Sequence, residues 1–205
     1  CHDRVKKIID TVGIDVEMHT HNDFGMATAN CIAGIEAGAR FASTTVMGIG
    51  ERSGNAPLEE IVMAAKHLLC KDFGIIPLKL KPLAEFVSVA ADRPIPVYKP
   101  FLGSNCFAHE AGIHADGIIK DAQNYEPYDP EEMGLERTIV IGKHSGRNTL
   151  VTKLKEHGIE LGDEDASALL DLVRRYSVKL HRCISDEELV ALYADLKRGQ
   201  NPFED

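Results

Sequence analysis

His19 and His21 stand two residues apart in the run VEMHTH, from Val16 to His21, and Asn22, Asp23 and Gly25 follow at once. Side chains alternate along a β-strand, so this spacing sends both imidazoles to one face. Two neutral imidazoles on one face can share a metal ion. They can equally be packed, hydrogen-bonded strand residues, and the pair alone does not choose. A second group lies further on, with His109, Glu110, Gly112, His114 and Asp116 in the run HEAGIHAD. On a helix, five residues turn through ~500°, so these two histidines share no face as an i, i+4 pair would. A neutral imidazole with an ordinary pKa near ~6.5 can take a proton at cellular pH. One of the two is therefore a candidate general base, with helix capping or core packing as the alternative for both.

The surrounding chain reads as elements able to hold these groups. After Gly25, Ala29, Ile32, Ala33 and Ile35 recur at helical spacing until Gly38, a helix stop. A strand is expected from Ala42 to Met47, then the loop GIGERSGNA, then a helix over Leu58–Leu69 that Pro57 opens at its first turn. Strand, helix, strand, helix implies a parallel sheet, and in barrels of that kind reactive groups gather where strands end. His19, His21 and Asn55 all fall at or just beyond such ends. Upstream, Val5, Ile8, Ile9 and Val12 mark one face of an amphipathic helix.

Downstream, FGIIPLKLKPLA changes character, which places a boundary near Pro77 and a helix over Pro82–Ala91 with Leu83, Phe86, Val87 and Ala90 on one side. A short strand is expected from Thr138, followed by the KHSGR turn and a helix from Leu150 to His157 that Gly158 stops. A helix over Asp165–Leu180 and another opened by Ser185 follow; Glu188 closes a capping box on Ser185, and Gly199 ends the last helix. Three regions result: 1–76, 77–146 carrying His114, and 147–205.

HTHNDFGMATAN and TTVMGIGERSGNAPLEE, continued by HEAGIHADGIIKDAQNYEP and IVIGKHSGRNTL, resemble the Claisen-condensing enzymes of the DRE-TIM metallolyase superfamily, the homocitrate, 2-isopropylmalate and citramalate synthases. The resemblance implies an α/β fold, namely the C-terminal strands and helices of a (β/α)8 TIM barrel followed by mostly helical lid subdomains. By it, His19 and His21 match the two histidine ligands of a divalent cation, Mg, Mn or Zn, and Asn55 matches the asparagine of the GERxGN loop that completes the shell. His114 resembles the lid histidine that serves as catalytic base, leaving His109 to packing. The implied activity is acyl transfer from acetyl-CoA to a 2-oxo acid by metal-assisted Claisen condensation and thioester hydrolysis. The implied assembly is a domain-swapped homodimer whose lid covers the partner's barrel.

The tail RRYSVKLHRCISDEELVALYADLK resembles the short homocitrate synthases, particularly those that serve nitrogenase cofactor assembly, so 2-oxoglutarate is the expected acceptor. 2-Isopropylmalate and citramalate synthases are the alternatives. The family's opening DTTLRDGEQ-like motif, source of an aspartate ligand and a substrate-binding arginine, is missing, and a barrel takes ~250 residues. The expectation is the C-terminal part of a longer enzyme or one chain of a split one, inactive alone.

Composition narrows the partners. A net charge of −9, from 23 basic and 32 acidic residues with no Lys/Arg cluster, argues against nucleic acid. Apolar runs fall well short of the ~20 residues of a membrane span, and no secretory leader is visible. The five cysteines form no CxxC pair, which fits a reducing cytoplasm. Two rival classes remain. GIGERSGNA reads GxGxxxG, a poor match to the GxGxxG of dinucleotide-binding oxidoreductases. A non-catalytic partner chain of a split synthase is the other.

Overall fold

The computed structural model describes residues 1–110, 117, 121 and 126–199. The chain is mixed α/β and divides into two compact units, Cys1–Cys106 with Tyr128–Leu135, and Phe107–Pro127 with Glu136–Asp205.

The first unit holds α1 (His2–Val12), β1 (Glu17–His19), α2 (Ala27–Glu36), β2 (Phe41–Ser43), α3 (Leu58–Leu69) and α4 (Leu80–Ala91). β1 and β2 pair in parallel, with Glu17 opposite Phe41, Met18 opposite Ala42 and His19 opposite Ser43. α2 is the crossover, and it presses close to the sheet because of Gly34: a β-carbon there would lie 2.3 Å from the Met18 sulfur. Met18, Ala27, Cys31, Ile35 and Ile61 form the core between helix and sheet. Burial pushes the Cys31 thiol up to about 11, since no neighbouring charge offsets the loss of water around a thiolate.

Gly38, with φ 108, stops α2 by letting the Ala39 N–H reach back to the Gly34 carbonyl at 2.9 Å. α3 has the expected span, although Pro57 is its N-cap rather than its first helical residue. The second strand is shorter than expected. It ends at Ser43 because Val46–Gly48 winds into a 3-10 turn in which Met47 takes a left-handed φ of 59°. α1 packs chiefly on α2, and its buried stripe is narrower than its sequence implies: Val5 is buried and Ile9 packs on the core, while Ile8 and Val12 are exposed. α4 starts at Leu80, behind a 3-10 turn over Pro77–Lys79, and buries Leu80 and Ala84; Leu83 and Phe86, expected on its apolar side, are exposed.

The second unit holds β3 (Ala108–His109), β4 (Thr138–Ile139), α5 (Arg147–Glu156), α6 (Asp163–Leu180) and α7 (Asp186–Lys197). β3 pairs in parallel with β4. The helices enclose a core of Ile141, Leu150, Leu154, Leu169, Val173 and Leu189. The capping box of α7 forms as its sequence requires. Ser185 Oγ accepts the Glu188 N–H at 3.2 Å, and Glu188 Oε2 accepts the Ser185 N–H at 2.8 Å. Among the described residues no helix is long and apolar enough to cross a membrane.

Candidate metal centre

The site is built where β1 runs out. His19 is the last residue of the strand, and beyond it residues 20 to 22 pair with the segment 54 to 56. The Ala56 N–H donates to the Thr20 carbonyl at 3.2 Å, the Asn22 N–H donates to the Gly54 carbonyl at 2.9 Å, and His21 forms an antiparallel bridge with Asn55. Extended backbone therefore continues past the strand, and the period of two survives. The His19 and His21 rings meet edge to face, centroids 5.0 Å apart and 86° between planes, with 3.3 Å between their Nε2 atoms.

The loop is shaped by its glycines. Gly54 has φ +88, and a β-carbon there would sit 2.1 Å from the Gly48 carbonyl oxygen, so no other residue fits without moving backbone. At Gly50 a β-carbon would press on the Asn55 side chain, 2.7 Å from Oδ1. The Asn55 N–H donates to the Gly48 carbonyl at 3.0 Å, closing the loop on itself. Arg52, left-handed at φ 55, crosses to Asp23 with two hydrogen bonds, Nε to Oδ1 at 2.8 Å and Nη2 to Oδ2 at 2.9 Å. Those bonds hold the Asp23 carboxyl below its ordinary range. Asn22 serves the helix, its Oδ1 accepting the Ala27 N–H at 3.1 Å at the start of α2.

These residues fit a cation. Two nitrogens 3.3 Å apart can both reach one ion at the ~2.0–2.1 Å of a metal–imidazole bond. Asn55 Oδ1 is buried without a hydrogen-bond partner, an oxygen left over once the loop's own bonds are made. Among the described residues no three His, Cys, Asp or Glu side chains are grouped to hold a metal.

Two contacts here escaped the sequence reading. The Asp23–Arg52 pair joins residues 29 apart in the chain. Ser43 Oγ lies 3.3 Å from His19 Nδ1, a contact that only the parallel register of β1 and β2 creates. A buried carboxylate was also missed: Glu59 is 2% exposed, accepts the Met47 N–H at 3.1 Å and has Lys99 Nζ at 3.3 Å, steadying the turn that leads into the glycine loop.

His109 belongs to the second unit, on β3, with Nε2 3.6 Å from Glu126 Oε1; Arg137 Nε donates to the other oxygen of that carboxylate at 2.7 Å. His109 is thus a strand residue. His114, the expected base, lies outside the described residues, as does Asp116.

An HMGL-like family model matches residues 1–87, and a model described as homocitrate synthase post-HMGL domain-like matches residues 101–180. The chain is 52% identical over 195 residues to 2-isopropylmalate synthase 2 of Caldanaerobacter subterraneus subsp. tengcongensis, covering 95% of this chain and 51% of that protein. It is 49% identical over 189 residues to homocitrate synthase 1 of a Nostoc species, covering 92% and 50% respectively. To the (R)-citramalate synthase CimA of Methanocaldococcus jannaschii it is 45% identical over 191 residues, covering 93% and 39%. The chain spans about half the length of the first two relatives, and less of the third.

Proposed function

The chain belongs to the family of 2-isopropylmalate, homocitrate and citramalate synthases, and from that membership we propose that it carries half of the metal site and the base of a synthase joining acetyl-CoA to a 2-oxo acid. The observation that carries the reading is the pair of Nε2 atoms 3.3 Å apart, with His21 bridged through its backbone to Asn55, whose amide oxygen is buried and unpartnered. His19 and His21 would hold a divalent cation, Mg, Mn or Zn, with Asn55 Oδ1 reaching it directly or through water. The cation would supply Lewis-acid polarisation of the 2-oxo group.

The remaining work falls to side chains. His114 takes a proton from the acetyl methyl of the thioester, the carbanion so formed attacks the 2-oxo carbon, the resulting alkoxide takes up a proton, and water hydrolyses the thioester to release coenzyme A as the free thiol. The Asp23–Arg52 ion pair holds the loop that carries Asn55 against the turn that follows His21. The strands of this unit form part of a (β/α)8 barrel whose other strands and acidic ligands come from outside these residues. The assembled enzyme is a cytoplasmic homodimer in which the His114 lid of one subunit closes on the barrel of the other.

For the acceptor we favour 2-oxoglutarate, supported by the homocitrate synthase post-HMGL domain-like match over residues 101–180 and by the Nostoc relative. The 52% identity to a 2-isopropylmalate synthase favours a second reading, a branched 2-oxo acid. Thiol release by the full-length protein decides between them. With acetyl-CoA and Mn²⁺, release should be fastest with 2-oxoglutarate and slower with 3-methyl-2-oxobutanoate or pyruvate, and a chelator should abolish it. Fastest turnover with 3-methyl-2-oxobutanoate would replace the first reading by the second; turnover that survives chelation would remove the metal from both.

A further inference from the structure

We propose that Ser43 is a positioning residue for His19: its hydroxyl oxygen accepts the Nδ1–H of the imidazole and so leaves the Nε2 lone pair facing His21. The inference rests on the reading of His19 and His21 as a metal pair. It starts from the register, which sets Ser43 directly opposite His19 across the parallel strands, side chains on one face. Ser43 Oγ is 3.3 Å from Nδ1, while Nε2, at the far side of the same ring, is 3.3 Å from Nε2 of His21.

A neutral imidazole has one proton and two nitrogens, and the hydrogen bond made by one nitrogen decides what the other can do. With the proton on Nδ1 and directed at Ser43, Nε2 has only a lone pair to offer. With the proton on Nε2, the ring presents N–H to the place where a cation would sit and cannot bind it. Ligating histidines characteristically give their second N–H to a nearby oxygen for this reason.

The two rings are not equivalent in this respect. His21 Nδ1 is buried with no hydrogen-bond partner, whereas His19 has Ser43 behind it. The orienting contact supplied by the described residues therefore falls on His19, and its loss should be felt at the metal rather than in the fold. Ser43 ends a short strand and is only half-buried, so a β-branched replacement suits the backbone.

Ser43→Thr and Ser43→Val in the full-length protein separate hydroxyl from shape, since the two differ by one oxygen in place of one methyl. Mn²⁺ affinity is read by titration, and the His19 tautomer by nitrogen NMR of the metal-free protein. Ser43→Val should bind Mn²⁺ about tenfold more weakly, the lower end of what an outer-shell change does. Ser43→Thr should restore binding, with thermal midpoints of the two variants alike. His19 should carry its proton on Nδ1 in the wild type and in Ser43→Thr, and shift toward Nε2 in Ser43→Val. Equal Mn²⁺ affinity in the two variants, or a wild-type His19 protonated on Nε2, would overturn the proposal. If the wild type binds no Mn²⁺ at all, the metal reading fails, and the tautomer measurement still decides the role of Ser43.

Discussion

At the scale of single residues, neighbours in sequence do unlike jobs around the site. His21 presents its Nε2 to His19, while Asn22 turns its amide oxygen to the Ala27 N–H and begins α2. Removing each should have a different signature. His21→Ala in the full-length protein should lower Mn²⁺ affinity by at least tenfold, the scale of even an outer-shell change, with little effect on the thermal midpoint. Asn22→Ala should cost about 1 kcal/mol of stability, the usual net worth of one hydrogen bond, and leave affinity near wild type. Titration and thermal unfolding of the same two variants check this; unchanged metal content in His21→Ala would remove that residue from the site. The same-face placement of the two rings was legible from their spacing, because extended backbone persists beyond the strand. The contacts of Ser43 and Arg52 were not, since each depends on how segments distant in the chain are brought into register.

At the scale of elements, what could be read locally was read well. Pro57 with the apolar stripe of α3, Gly38 after α2 and the Ser185–Glu188 box of α7 are all determined within one turn of chain. Errors arose where tertiary context decides. Met47 enters a left-handed turn whose backbone N–H is held by buried Glu59, which cuts the second strand short. His109 lies in a strand because Thr138–Ile139 is there to pair with it. The α7 cap carries a pH dependence. Hydrogen bonds from Arg182 and from the Ser185 N–H hold the Glu188 carboxyl down to about 2, against an ordinary 4.5. A folded-state value below the unfolded one means the contribution is complete above 4.5 and is lost as pH falls towards 2. Glu188→Gln should therefore lower the midpoint of the second unit at neutral pH, with the gap to wild type closing as the solution is acidified through that window. A gap that stays constant with pH would mean that the carboxylate does not hold the cap. Ser185→Ala, which removes the other half of the box, should cost about 1 kcal/mol.

At the scale of the whole molecule, the parallel pair of β1 and β2 is the part that does not close on itself. Among the described residues each strand pairs in a sheet only with the other, so two outer edges keep unpaired backbone groups. Parallel sheets are found with both faces covered, and a two-stranded sheet is marginal in water. Phe41 on β2 is 52% exposed, and it lines a groove with Ile35, Ile61, Phe73 and Ile75 beside that open edge. The second unit differs, since α5, α6 and α7 enclose a core in which Leu150, Leu154, Leu169, Val173 and Leu189 have no exposure at all. Hydrogen exchange should therefore divide the 205-residue chain when it is studied alone. Amides of α5–α7 should be as protected as in the full-length protein, and those of β1 and β2 should exchange faster, because among the described residues no further strand pairs with either. Thiol release from acetyl-CoA should follow the same division, present in the full-length protein and absent from the isolated chain with any 2-oxo acid. If instead β1 and β2 were fully protected in isolation and the chain turned over acetyl-CoA at the full-length rate, the pair would need no further strands, and the reading of the first unit as part of a barrel would fall together with the metal ligands assigned to the rest of it.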